Sequence, residues 1–168
     1  MCMSSTKIPM LIGLFVDDII SIYSPNDTTE WLKLKSSMMS TYSMKDLGSA
    51  QWILGMQIRR DRPQRLLQLS MESYVDKMVH DYQMKDAGTL PTPEESSVIL
   101  SKADEAKTQE EIDAMGNRPY MQIVGSLLYS TLSVFFECSH AVGVLTRFMQ
   151  NPGPKHWYAA KRVLRYLK

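Results

Sequence analysis

Hydrophobic alternation and periodicity divide the chain into a strand-rich first part, a polar middle and a helical end. Two runs between Pro9 and Tyr23, "MLIGLFV" and "IISIY", are rich in β-branched and aromatic residues and predict paired strands. Asp17 and Asp18 stand between them, at the position of a tight turn. Pro25-Asn26-Asp27 offers a helix start, with Asn26 or Asp27 as N-cap. Trp31, Leu34, Met38 and Tyr42 then recur at three- and four-residue steps, which predicts an amphipathic helix over residues 28–43 that ends before Gly48. A second strand pair is read in "AQWILGMQIRR" and "RLLQLSM". Its connection, from Arg59 to Arg65, holds four arginines and one aspartate. Ser70 is placed to cap a helix whose face is Tyr74, Val75, Met78, Val79 and Tyr82.

Periodicity is lost from Asp86, where "DAGTLPTPEESSVILSKADEAKTQEE" is polar and proline-broken. It resumes near Pro119 with two apolar helices, "YMQIVGSLLYSTLS" and "SHAVGVLTRFMQ", before Asn151-Pro152-Gly153-Pro154 breaks the pattern. The last segment, "KHWYAAKRVLRYLK", reads as a basic amphipathic helix with Trp157, Val163, Leu164 and Leu167 toward its apolar side. The pattern predicts an α+β chain in three parts: residues 1–85 with strands and helices, a flexible acidic linker over 86–118, and a helical segment over 119–168.

Charge adds to this division. The net charge of +1 identifies no partner, but its distribution is uneven. Between Asp86 and Arg118 there are eight acids against three bases, whereas Arg147 to Lys168 holds six bases and no acid. The basic tail is a candidate anion-binding surface. With 44% hydrophobic and 22% charged residues the composition is that of an ordinary globular protein. Cys2 and Cys138, far apart, form neither a disulfide framework nor a zinc motif, which points to a reducing compartment. The opening "MCMSSTKIPMLIGLF" lacks a charged n-region and a small-residue cleavage site, and no run reaches the ~18 apolar residues of a membrane span. The expectation is an intracellular protein, cytoplasmic or nuclear, that is neither secreted nor membrane-bound.

Two adjacent carboxylates inside the most apolar run need a reason, because unpaired buried charge is costly. Strand neighbours point to opposite faces, but at a hairpin tip at least one side chain projects outward. Magnesium takes carboxylate oxygens and is held by one or two of them together with substrate phosphates. Two-metal chemistry places its ions roughly 3.5–4 Å apart and needs a further carboxylate from another strand. Asp46, Asp61, Asp76 and Asp81 all lie in polar or helical contexts, so none is an evident third ligand. An Asp pair between strands is also ordinary turn chemistry. Elsewhere, Arg59, Arg60, Arg62 and Arg65 on the second hairpin are candidates for phosphate contacts, as are Lys155, Lys161, Arg162, Arg165 and Lys168 with Trp157, Tyr158 and Tyr166 between them. Solvated charges on a hairpin tip and on an amphipathic helix are the plainer reading of both sets. His80, His140 and His156 are scattered and read as surface or packing residues.

In order along the chain, "LFVDDII", "MKDLGSAQWILGMQIRR", "LQLSMESYVDKMVHDYQM", "TP", "YMQIVGSLLY", "AVGVLTRFM" and "AAKRVLRYLK" resemble the reverse transcriptase of Ty1/copia-type retrotransposons, over about residues 11–168. The resemblance implies that Phe15-Val16-Asp17-Asp18 is the family's aromatic-x-Asp-Asp box on the palm hairpin, with Asp17 as catalytic magnesium-binding carboxylate and Asp18 as its supporting neighbour. It implies a hairpin over residues 52–69 near the primer strand, the start of a thumb at Tyr74 to Met84, and a connection-like helical part after Arg118. It also implies partners for the complete enzyme: an RNA template, a DNA primer, deoxynucleoside triphosphates, and the fingers and ribonuclease H segments of a polyprotein. Where the family commonly carries Arg-Pro-Asp ahead of "AVGVL", this chain has Phe136-Glu137-Cys138-Ser139-His140. Two functions follow as expectations. One is a polymerase part that is inactive alone for want of the first catalytic aspartate. The other is a non-catalytic retroelement relic that binds nucleic acid or a partner.

Overall fold

The structure is a computed structural model that describes residues 10–168. Cys2, the first nine residues of the stretch weighed as a leader and the expected strand start at Pro9 lie outside the described residues, while the rest of that stretch enters β1 (Leu11–Phe15). The chain forms two compact units, Met1–Leu54 and Gly55–Lys168, a division that differs from the three parts expected. About 48% of the described residues are helix and 14% strand, an α+β fold as the patterning predicts.

In the first unit, β1 (Leu11–Phe15) pairs antiparallel with β2 (Asp18–Ile22), Leu11 opposite Ile22 and Phe15 opposite Asp18. Gly13 lies across from Ile20, and a Cβ there would approach Ile20 Cγ2 to 3.2 Å. Ser24 caps a 3₁₀ turn, Pro25–Asp27, by accepting from the Asn26 amide, and α1 (Thr28–Thr41) follows. Asp27 takes the N-cap position of α1, one of the two that the sequence suggests, while the side-chain cap is made at the preceding 3₁₀ turn by Ser24. Tyr23 stacks on Trp31 at 5.6 Å, and Lys35 pairs with Asp46. A short strand, β3 (Trp52–Ile53), ends the unit. Leu54 and Gly55, both at positive φ, carry the chain onward.

The second unit opens with a hairpin of β4 (Met56–Asp61) and β5 (Leu66–Ser70), in register from Gln57–Ser70 to Asp61–Leu66. Then follow α2 (Glu72–Asp81), a 3₁₀ turn at Lys102–Asp104, α3 (Gln109–Gly116), α4 (Tyr120–Ser133), a second 3₁₀ turn at Phe136–Cys138, α5 (Ser139–Thr146) and α6 (Pro154–Leu167). Ser70 accepts from the Glu72 amide at the head of α2. The core is helical: Val75, Met78 and Val79 of α2 meet Tyr120, Ile123, Val124 and Leu127 of α4, Ala141, Val142 and Leu145 of α5, and Ala160, Val163 and Leu164 of α6. Each fully buried aliphatic side chain contributes about 1.5–3 kcal/mol. The Tyr120 hydroxyl donates to the Leu145 carbonyl within this core, and burial pushes its phenol well up. Burial, then Glu137, pushes the Cys138 thiol up to about 11, so it stays an inert packing group.

Residues 86–118 are not the structureless linker that their composition predicts. They carry a 3₁₀ turn and α3, each with a capping box. Ser101 and Asp104 form the first box; Thr108 and Glu111 form the second. The amides of Lys107 and Thr108 hold the Glu111 carboxyl below its usual range. Ala106 and Met115 are buried, and the strap from Met84 to Ala106 is bonded along α6. Acid-rich sequence reads as linker when its partner helix is distant in sequence; here the basic helix supplies the counter-charge. Among the described residues, no helix is long and apolar enough to cross a membrane.

Candidate functional site

The Asp-Asp hairpin is built as a two-residue turn. Phe15 and Asp18 close the ladder, leaving Val16 and Asp17 as the loop. Val16 has φ 51°, a left-handed conformation where the first loop position of such a turn normally takes glycine. A β-branched residue held there stores about 1–3 kcal/mol of strain, a feature concentrated at functional turns. Asp18 is therefore the first residue of β2 rather than part of the turn, on the same face as Phe15 and Ile20, while Asp17 sits in the loop itself. Both are exposed, and among the described residues neither carboxylate has a hydrogen-bond or ion-pair partner. The other aspartates of the neighbouring sequence are committed. Asp46 is held below its usual range by Lys35 and by the Gly48 amide, and Asp61 accepts from the Gln64 amide to close the β4–β5 turn. Among the described residues, no group of three or more His, Cys, Asp or Glu side chains is placed to hold a metal ion.

The β4–β5 hairpin gathers the four arginines. Arg59 and Arg60 occupy consecutive positions of β4, opposite Gln68 and Leu67, so they emerge on opposite faces. Arg59 Nε donates to Gln57 Oε1 at 3.1 Å. Arg62 and Arg65 bracket the tip, where Pro63 fills a turn closed by Arg65 N to Arg62 O at 3.1 Å and Arg65 takes φ 55°. All four are exposed.

The basic residues of α6 are arranged differently from the expected open surface. Lys155 Nζ meets Asp104 Oδ1 at 2.5 Å, and with the Ser101 hydroxyl and amide it pulls the Asp104 carboxyl down to about 2. Arg162 reaches Glu95 at 3.4 Å and the Thr92 hydroxyl at 3.0 Å. Arg165 donates to the Gly88 carbonyl at 2.6 Å, and Lys168 to the carbonyls of Met84, Lys85 and Ala87. Lys161 lies half-buried on the same helix. Thr92, Glu94 and Glu95 escape the sequence reading as members of this surface. The signal for them is the excess of acids in 86–118 facing the excess of bases after Arg147. His156 is fully buried: its ring stacks on Phe148 at 4.0 Å and Nδ1 accepts from the Gly153 amide at 2.9 Å. Burial lowers its pKa, against the opposing pull of Asp104 and Glu105.

The described residues thus present an exposed Asp-Asp turn in the first unit and an exposed arginine hairpin in the second. Comparison with known proteins identifies the family. Residues 2–96 match the family described as reverse transcriptase (RNA-dependent DNA polymerase). The chain is 41% identical over 159 residues to a retrovirus-related Pol polyprotein from transposon TNT 1-94 of Nicotiana tabacum, covering 95% of this chain and 12% of that protein. A Ty5-1 transposon protein of Saccharomyces cerevisiae is 29% identical over 98% of this chain and 50% of its own length. A mitochondrial protein of Arabidopsis thaliana is 34% identical over 95% of this chain and 61% of its own. No solved structure matches. The chain belongs to the reverse transcriptase family, in its Ty1/copia-type retrotransposon branch. It spans from about an eighth to about three fifths of the length of these relatives.

Proposed function

We propose that this chain supplies the Asp-Asp hairpin of an RNA-directed DNA polymerase, joining deoxynucleoside triphosphates to a DNA primer on an RNA template. The observation that carries this reading is the pair Asp17 and Asp18, exposed and without partners among the described residues at a strained turn. Their oxygen donors suit magnesium, which takes one or two carboxylates and fills its remaining positions with water and phosphate. When bound, magnesium would stabilise the attacking and leaving oxygens of nucleotidyl transfer. Asp17, in the loop, is the primary ligand by position, and Asp18, fixed by its ladder place opposite Phe15, sets the orientation of the turn. With two carboxylates and no third among the described residues, affinity for the ion is weak and activity requires a carboxylate from another segment. The arginines of the β4–β5 hairpin, and Lys155, Lys161, Arg162 and Arg165 on α6, would neutralise template and primer phosphates.

The test is a manganese titration of the full chain followed by NMR. Selective broadening of the amides of residues 16–19, abolished in D17N, supports the reading; uniform broadening overturns it. By itself the chain should not extend a primer on an RNA template. Extension that disappears in D17N would remove the requirement for a further carboxylate.

The second reading, a retroelement-derived module that only binds nucleic acid, is favoured by the exposure of all four hairpin arginines. It predicts salt-dependent binding of single-stranded nucleic acid with no dependence on Asp17.

A further inference from the structure

The strap and α6 run antiparallel in a regular register. Moving along α6, Lys155, Arg162, Arg165 and Lys168 meet Asp104, Glu95 and Thr92, Gly88, and Met84 to Ala87 in turn. These basic residues, with Tyr158 between them, occupy the side of the helix opposite His156, Ala160, Val163 and Leu164, which face the core.

The strap is not held equally along its length. At one end the backbone is engaged: Leu90 N donates to the Arg165 carbonyl, one of the last acceptors of α6, while Arg165 and Lys168 hold the carbonyls before it. Met84 is buried and Ala87 packs against the core. At the other end Ala106 is buried, and the Asp104 carbonyl lies so close to Gly153 that a Cβ there would sit 1.9 Å away. In the middle Leu100 packs against the core, but residues 92–95 have no such anchor. Val98 and Ile99 are exposed, and what joins residues 92–95 to the helices is polar side-chain contact: Thr92 and Glu95 with Arg162, and Glu94 with His140 at 3.0 Å. Exposed ion pairs of this kind are weak, about 0–1 kcal/mol each.

Arg162 is also poorly served by its present partners. Its guanidinium is a fork suited to two-point binding of an oxyanion. Here it receives one carboxylate oxygen at 3.4 Å and one hydroxyl, and its Nε is sealed from solvent without a partner among the described residues. Glu95 supplies this fork with a single oxygen at 3.4 Å, whereas a phosphodiester seated with both free oxygens toward it would fill two of its donors.

We propose that residues 92–95 are an internal competitor for the α6 anion site: Glu95 occupies Arg162 while Glu94 ties the segment to His140 of α5, and a nucleic-acid phosphate at Arg162 displaces them while the two anchored ends of the strap stay in place. This rests on the reading of α6 as a nucleic-acid surface. Exchange of one anion for another at Arg162 involves no covalent step.

The experiment is fluorescence anisotropy of a labelled single-stranded oligonucleotide with the full chain at several salt concentrations. E94Q/E95Q is compared with E110Q/D113N, which removes the same charge from exposed positions of α3. The gate predicts a Kd lowered roughly three- to tenfold in E94Q/E95Q. The control should change by less than twofold, and the gain should vanish when R162Q is added. Equal gains in the two double variants, or a gain that survives R162Q, overturn the gate but leave α6 as a binding surface. No salt-dependent binding by any variant removes both. Thermal melts followed by circular dichroism confirm that each variant is folded.

Discussion

The two units solve the same folding problem to different degrees. From Val75 to Leu164 the second unit closes sixteen buried apolar side chains into one cluster. Among the described residues of the first, Asp27 alone is buried, while Leu14 is 72% and Phe15 58% exposed although they stand in its most apolar run. The elements of both form from local signals: turn residues, caps, alternation. Only in the second do those signals converge on a shared interior. A strand sequence apolar on both faces, as β1 and β2 are, is that of a ribbon meant to be covered on both sides. The contrast teaches that secondary structure and independent stability are separate properties of a sequence.

The largest effect that would test this contrast is a truncation made in both units. Leu127→Ala removes a side chain with no exposed surface and should cost about 4 kcal/mol in chemical denaturation of the full chain. Leu14→Ala, at a more apolar stretch of sequence but an exposed position, should stay within about 0.5 kcal/mol. A Leu14→Ala cost near that of Leu127→Ala would show that β1 is covered in solution, and the comparison would break.

Glycine substitutions sharpen it next. In Gly153→Ala the new methyl collides with the Asp104 and Glu105 backbone, which cannot move without unseating the strap, and a loss of about 3 kcal/mol is expected. In Gly13→Ala the neighbour is the Ile20 side chain at 3.2 Å, which can shift by a few tenths of an ångström on an open ribbon. Its effect should remain below about 1 kcal/mol by the same measurement.

How much of this was legible follows the same line. The β1–β2 hairpin, α1, the arginine hairpin and the helices after Pro119 are all predicted by periods of two or 3.6 residues, because each is specified by its own stretch. The Asp-Asp turn was visible for the same reason, although the one-residue placement of Asp18 inside β2 was not, since turn length depends on the backbone angle of Val16. The strap was missed because its order comes from residues 51 to 83 positions away: Lys155 for Asp104, Arg162 for Glu95, Arg165 for Gly88, Lys168 for Lys85. No local pattern encodes such pairings; only the opposed charge excess hinted at them. For His156 the sequence left surface and packing both open, because a histidine one residue after a lysine in a basic helix carries no apolar signature; the structure buries it.

That histidine gives the second unit a pH dependence. Its pKa is lowered chiefly by burial, so folding favours its neutral form. Once unfolded it titrates near 6.5. Below that value the unfolded chain binds a proton that the folded chain does not, so stability is full above about pH 6.5 and declines as the pH falls beneath it. The slope is at most about 1.4 kcal/mol per pH unit. His156→Gln should flatten the denaturation midpoint between pH 7 and 5, whatever its baseline cost. All three histidines of the chain lie in the second unit, so amide exchange across β1 and β2 should not follow this profile.

Helix caps give the smallest effect and the finest test. Thr108 accepts from the Glu111 amide at 3.2 Å to start α3, and α3 is tied to the core through buried Met115. Ser24 accepts from the Asn26 amide at 3.4 Å to start the turn before α1, whose side chains include none that are buried. The chemistry is the same, but its coupling differs. Thr108→Ala should lower the global denaturation midpoint by the equivalent of about 1 kcal/mol, because losing the cap loosens the helix that seats Met115 in the core. Ser24→Ala should leave that midpoint in place and instead speed hydrogen exchange of the amides at residues 26–28, because opening there costs no shared packing. If Ser24→Ala moved the global midpoint as far as Thr108→Ala does, α1 would have to rest on a core of its own.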